Sequence, residues 1–184
     1  MIDADQIGKT VTAYLERHPD ETRRLAPITA ALAAPPGDLT SRKTLPGHVT
    51  CSAIVVNPAG HVLHIRHNAL NKWLRPGGHL ESQDLSLAGA ASREVAEETG
   101  IPAQALTLVD DVPADIDVHP IPENPAKDEG DHLHYDMRFV FTVAADTDVQ
   151  LQAEEVNDSA WLPIVDLKPA QLAGRVADLV GANA

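Results

Sequence analysis

The stretch that most restricts the fold runs from residue 77 to 101, GGHLESQDLSLAGAASREVAEETGI, because its pattern fixes how a helix must face the rest of the chain. Leu87, Ala90, Ala91 and Val95 recur at three- and four-residue spacings and form one narrow apolar face, whose small residues let another backbone come close. Asp84 or Ser86 is placed to cap the N-terminus by accepting from a free backbone N–H, and Gly100 stands where a helix takes its left-handed terminating residue. Glu94, Glu97 and Glu98 fall at i, i+3 and i+4, so their carboxylates converge within a turn; Arg93, four residues before Glu97, can brace it. Carboxylates near a helix C-terminus oppose the macrodipole, at a few tenths to ~1 kcal/mol apiece. A divalent cation removes that conflict, since hard oxygens on a common face are what Mg²⁺ or Mn²⁺ binds. Gly77 and Gly78 agree with this, because bare backbone can approach an ion or a phosphate and offer a carbonyl. A solvated acidic face would explain the glutamates alone, but not the glycines, the small residues and Arg93 together.

Before this stretch, residues 3 to 17 predict an amphipathic helix with Ile7, Val11, Tyr14 and Leu15 on one stripe. A second helix follows the break at His18-Pro19-Asp20, carrying Leu25, Ile28 and Leu32, with a kink expected at Pro27 and an end at Ala34-Pro35-Pro36-Gly37. This pair, residues 1–45, reads as a helical extension that caps the core or forms a homodimer contact, with a substrate lid as the alternative. From His48 the pattern becomes strand-like: CSAIVV (51 to 56) and HVLHIR (61 to 66) are separated by Asn57-Pro58-Ala59-Gly60, a hairpin signal. Further short strands are expected at 105 to 112 and 115 to 119, then a long acidic loop over 120 to 131. Residues 132 to 144 alternate strictly: Leu133, Tyr135, Met137, Phe139 and Phe141 on one side, His132, His134, Asp136 and Arg138 on the other, as in a strand buried on one face. His132 and His134 could bind zinc, but no third ligand stands at a suitable spacing, so a histidine-rich substrate wall is the expectation. A final helix is expected from about Val165 to Val180.

Charge and cysteine usage narrow the function. With 27 acidic against 14 basic residues the net charge is −13, and no basic stripe is available for long nucleic acid. Small phosphorylated substrates remain compatible, because bound divalent cations reverse the local sign. Cys51 is the only cysteine, which rules out an intrachain disulfide and a cysteine-based zinc site; it is expected to be a packed residue. The polar start MIDADQIGK and the lack of a long apolar run predict no membrane partner and a cytoplasmic location.

The loop and helix resemble the Nudix box, G-x5-E-x7-R-E-U-x-E-E-x-G-U, with U a bulky aliphatic. Arg93, Glu94, Val95, Glu97, Glu98, Gly100 and Ile101 match every fixed position of its second half. The first half departs from it: counting from Gly78 the glutamate position holds Asp84, and counting back from Arg93 it holds Leu85, so the loop has one extra residue. Asp84 and Glu81 are both open as the substitute for that glutamate. The resemblance spans residues 46–184 and implies the fold that the alternation of strands and helices also suggests: α+β, an α/β/α sandwich around a mixed sheet.

The resemblance further implies a Mg²⁺- or Mn²⁺-dependent hydrolase that cleaves a diphosphate linkage in a small nucleoside-diphosphate-linked or related metabolite. The metal ligands would be Glu94, Glu97, Glu98, the Gly77 carbonyl and Glu155, with Glu154 the alternative to the last, because Glu154-Glu155 upstream of Trp161 resembles the family's outlying ligand. Arg93 would orient a ligating carboxylate. The general base is open among Glu94, Glu97 and a loop glutamate, Glu123 or Glu129. Arg66, His67, Lys72, Arg75 and His79 supply counter-charge for phosphates, and Trp73, His132 and His134 are further substrate-binding candidates. Two other functions compete: a sensor that binds a nucleotide derivative without cleaving it, and an isomerase of a prenyl diphosphate.

Overall fold

A computed structural model of the chain describes residues 1–34, 37–68, 71–124, 129–145, 147–151 and 156–181. The helices are α1 (Ala4–Arg17), α2 (Ala26–Ala33), α3 (Leu87–Thr99) and α4 (Ala170–Gly181). The strands are β1 (Gly47–Val56), β2 (His61–His67), β3 (Lys72–Leu74), β4 (Gly77–His79), β5 (Thr107–Leu108), β6 (Asp115–Ile121), β7 (His132–Thr142) and β8 (Val156–Pro163).

The spine is the parallel pairing of β1 with β7, from Gly47↔Leu133 to Val56↔Thr142. Every residue of β1 is buried, as expected of a strand covered on both faces. β5 and β6 pair antiparallel with β7, and β4 pairs antiparallel with β1 through Thr50↔His79, Cys51↔Gly78 and Ser52↔Gly77. Asn57 to Gly60 does turn the chain: Gly60 lies at φ +72°, and the Asn57 side chain accepts from the Ala59 and His61 N–H groups. The expected hairpin nevertheless ends after Val56↔Val62, because β4 occupies the edge of β1 and β2 pairs instead with β3 and β8. The result is a mixed sheet flanked by helices.

Alternation along β1 and β7 divides the interior. Val49, Cys51, Ala53 and Val55, with Tyr135, Met137, Phe139 and Phe141, pack against α3 through Leu87, Ala90, Ala91 and Val95, in one cluster with Ile7, Tyr14, Leu25 and Ile28 of the N-terminal segment. On the opposite face Ile54, Val56 and Val140 pack with Leu172 and Val176 of α4. Farther along that second face the residues turn polar: His48, Thr50 and Ser52 on β1, His134, Asp136 and Arg138 on β7. Asp136 and Arg138 are buried, which corrects the one-sided strand read from alternation. Asp136 accepts from Ser52 Oγ (2.7 Å) and Arg138 Nε (2.9 Å), while Arg138 also donates to Asp115 (2.8 Å) and Asp117 (2.6 Å), so the buried charges are compensated.

Some boundaries differ from the sequence reading. Pro27 lies in the first turn of α2 and starts it rather than kinking it, since its missing N–H is no loss there. The strand expected over 105 to 112 contracts to Thr107–Leu108, and Trp161 lies in β8, a strand the sequence pattern did not reveal. Residues 164–166 form a 3₁₀ turn, and the last helix begins only at Ala170, after Pro169. Tyr14, Leu25 and Ile28 are fully buried, each contributing roughly 1.5–3 kcal/mol, so the N-terminal helices are integral to the core.

Candidate active site

Ser86 caps α3, its Oγ accepting from the Gly89 N–H at 3.0 Å, and Gly100 closes the helix at φ +69°. Asp84 is therefore released for another task. Only 5% exposed, it accepts from Arg93 Nε (3.0 Å) and Nη2 (3.1 Å) and from the Glu81 N–H (2.8 Å). Glu81, the alternative, is half-exposed and 3.9 Å from Arg93. Arg93 spends its remaining N–H groups on Glu94 (2.9 Å), Glu97 (2.8 Å) and the His79 carbonyl (2.8 Å). Burial works against its charge, but the Asp84 hydrogen bonds and the Glu94 charge more than offset this and fix it as a guanidinium.

The three glutamates share a face of α3 as the spacing requires, at different depths. Glu97 is exposed, Glu94 is partly buried, and Glu98 is buried with Oε2 accepting from the Gly77 N–H at 3.0 Å. Glu94 lies over Gly78 so closely that a Cβ there would stand 2.5 Å from its Oε1, which is why the position carries no side chain. Burial pushes the Glu94 carboxyl up to about 7, against the pull of Arg93. Hard oxygen donors packed on bare glycine backbone, with one carboxylate pushed up by burial, have the chemistry that a divalent cation satisfies. Glu94, Glu97, Glu98 and the β4 backbone are therefore of the donor type that Mg²⁺ or Mn²⁺ takes, while among the described residues the three side chains that bring their ligand atoms within 4.8 Å of one another are His48, His79 and His134. Glu154 and Glu155 lie outside the described residues.

The other sequence-predicted residues form separate groups. Arg66, Lys72 and Trp73 gather on the β2–β3 hairpin, where Trp73 is 43% exposed and Arg66 donates to Asn71 Oδ1 at 2.8 Å. Arg75 is half-buried beside Asp136 and Arg138; burial lowers its pKa, and its Nε is buried without a hydrogen-bond partner among the described residues. Glu129 pairs with Arg42, and its charge acts on His48 and His79. Glu123 contributes its N–H to Asp131 at 2.8 Å. Cys51 is fully buried, and burial holds its thiol well above the ordinary range, which deprives an isomerase reading of a reactive thiol.

His79, His132 and His134 come together, joined by His48 and His119, which the sequence reading did not single out. His134 meets each of the other four rings tilted or edge-on, at 4.8 to 5.6 Å between ring centroids. Burial, reinforced by the neighbouring rings, lowers His79 to about 4 and His134 to about 3, so both are neutral at physiological pH. Parity assigns each histidine to a face, His48 in phase with Thr50 and Ser52 and His132 and His134 in phase with Asp136, but it does not say which strands pair.

A family model for the NUDIX domain matches residues 46–180. The chain belongs to the Nudix family. Among curated proteins none matches its sequence. Solved structures that resemble this Nudix chain include a C. elegans Ap4A hydrolase binary complex, with TM-score 0.56 and 17% identity over 73% of this chain and 98% of that one. The E. coli dihydroneopterin triphosphate pyrophosphohydrolase follows, with TM-score 0.54 and 20% identity over 74% of this chain and 96% of that one. A NUDIX-family hydrolase from Clostridium perfringens gives TM-score 0.50 and 21% identity over 74% and 98%. At these identities the likeness establishes the Nudix fold. No helix among the described residues is long and apolar enough to cross a membrane.

Proposed function

We propose that this Nudix chain is a divalent-metal-dependent hydrolase of a diphosphate linkage in a small phosphorylated metabolite. The observation that carries the reading is the seating of Glu94 and Glu98 on the bare backbone of Gly77 and Gly78, with Arg93 clamped between Asp84 and the carboxylates. Glu94, Glu97, Glu98 and the Gly77 carbonyl would hold Mg²⁺ or Mn²⁺, with Glu155 as a further ligand. When bound, the metal neutralises the diphosphate and lowers the pKa of a coordinated water.

The remaining work falls to the protein. Arg93 fixes the directions of Glu94 and Glu97, so the carboxylates meet a substrate without reorganising. Glu97, the most exposed of the three, is best placed to take a proton from an attacking water; Glu94 is the alternative and Glu129 the outlying one. Arg75, with a buried N–H awaiting an acceptor, is the strongest phosphate contact, and Arg66, Lys72 and Trp73 form an exposed edge for the rest of the substrate. Nucleoside-diphosphate derivatives are the first class to test, with Ap4A and dihydroneopterin triphosphate, for which two of the similar structures are named, in the same panel.

The test is release of phosphate or a nucleoside monophosphate from a diphosphate panel with Mg²⁺. Glu97→Gln and Glu98→Gln should each lower turnover by at least ~10²-fold with the fold intact, and EDTA should abolish it. Binding of a panel member without any product, in the wild-type protein with Mg²⁺, would favour the sensor reading instead.

A further inference from the structure

The polar face that joins β1, β4 and β7 carries a second set of metal-binding side chains. His48 is 1% exposed, and among the described residues neither of its ring nitrogens has a hydrogen-bond partner, although the Thr44 backbone works against burial in favouring its protonation. An unsatisfied buried polar group costs about 1–3 kcal/mol, so an imidazole sealed in this way calls for an explanation. The parallel register sets His48 beside His134, and β4 turns His79 toward them, because Gly78, its neighbour in the strand, faces Glu94 on the other side. Each of the three rings offers one nitrogen, and these lie within 4.8 Å of one another.

We propose that His48, His79 and His134 form a binding site for a borderline transition-metal cation, with Zn²⁺ the ion that fits, distinct from the carboxylate site across β4. Imidazole nitrogens select Zn²⁺ over Mg²⁺, and this set contains no hard oxygen. Zn–N bonds of ~2.0–2.1 Å place tetrahedral ligand nitrogens roughly 3.3 Å apart, so the rings close in by at most about 1.5 Å. The fourth position falls to a water or to His132, which stands beside His134 outside the group of three. The His132 Nδ1 is held by the Gly130 carbonyl at 2.7 Å, which leaves Nε2 as a lone-pair donor, and that atom already lies 3.2 Å from His134 Nε2. The sequence could not reveal the site because its ligands come from strands far apart in the chain. An ion here ties β1, β4 and β7 together and steadies the His79 carbonyl that accepts from Arg93.

The test uses the full chain stripped of metal and then saturated with Mg²⁺, which fills the carboxylate site. Co²⁺ added as a probe should bind one equivalent with the intense visible bands of tetrahedral nitrogen coordination, and Zn²⁺ should displace it. His79→Gln and His134→Gln should each weaken binding by at least about 100-fold, more than loss of an outer-shell partner does, whereas Glu97→Gln should leave it unchanged. Melting in EDTA shows whether each variant folds, and Zn²⁺ should raise the melting temperature of the wild type and of Glu97→Gln but not of the two histidine variants. The absence of tetrahedral bands in the wild-type protein overturns the proposal, as do bands that persist in folded His134→Gln or disappear in Glu97→Gln.

Discussion

Replacing Gly78 with alanine adds one methyl group, changes no charge, and should separate the stability of this fold from its chemistry. The left-handed glycines are Gly60 and Gly100, so the backbone at Gly78 accepts alanine and only space is at issue. The new Cβ would stand 2.5 Å from Glu94 Oε1 and 2.7 Å from its Cδ, where ordinary contact begins near 3.4 Å, so the carboxylate must retreat by about 0.9 Å. The obstacle is the far end of a flexible side chain, and a χ rotation relieves it; stability should fall by less than about 1 kcal/mol, below the usual overpacking range. Displacing a reacting group by about an ångström costs on the order of 10²-fold in rate. Urea unfolding and turnover under saturating Mg²⁺ should therefore diverge, with near-native stability and kcat down by about two orders of magnitude. Gly77→Ala provides the contrast, since its Cβ would meet Ser52 Cα at 2.7 Å and the Cys51 carbonyl at 2.8 Å, which is backbone of β1 that cannot rotate away. Wild-type turnover in Gly78→Ala, or unfolding as severe as that of Gly77→Ala, would refute the reasoning.

Asp84→Asn removes the charge beneath Arg93 and turns an amide N–H toward guanidinium N–H groups; with Glu94, Glu97 and the His79 carbonyl still bound to Arg93, urea unfolding should show a loss of about 2–3 kcal/mol. Glu81→Gln, at a half-exposed residue 3.9 Å away, should cost less than about 0.5 kcal/mol. Gly100→Ala should cost more than Gly60→Ala in thermal unfolding: both are left-handed, worth about 1–2 kcal/mol, but only at Gly100 would a Cβ strike backbone, the Gln150 carbonyl at 2.8 Å. Stability should decline in two acid stages. His79 and His134 are lowered from 6.5 to about 4 and 3, so the unfolded chain binds protons first and stability is lost as pH falls below about 6.5. Glu94, raised to about 7, acts in the opposite direction over the same range, so His134→Gln should reduce or reverse that slope in urea titrations. Asp117 is lowered to about 2, chiefly by its His119 hydrogen bond, and Glu21 also to about 2, where Tyr14, Arg175 and Arg24 overcome burial; their contribution, complete above about pH 5, is lost as pH falls toward 2.

What could be read from the sequence is what depends on local period. The apolar face of α3, its glycine terminus and the alternation of β7 follow from spacings of three, four and two residues, and the structure has each of them. Arg93 was legible as a brace for Glu97, but its grip on Asp84 was not. Choosing between Asp84 and Ser86 as the cap requires knowing which side chain turns inward, and that is decided by burial. The hairpin after β1 was misread for a related reason: a turn signal reports that the chain reverses, and says nothing about which strand takes the edge it leaves.

Long-range register carries the rest. The β1–β7 pairing brings His48 to His134 and Thr50 to Asp136, and no pattern along the chain encodes the offset. The N-terminal helices depend on charge in the same way. Asp115 lies 2.9 Å from Arg24, 2.8 Å from Arg138 and 3.7 Å from Arg175, so one buried carboxylate answers guanidiniums from the extension, from β7 and from α4. Glu21 completes the set by pairing with both Arg24 and Arg175. Each of these residues looks like ordinary surface charge when read alone. Together they make the first helices electrostatically inseparable from the strand whose other end holds the histidines, because removing any one partner leaves a desolvated charge behind.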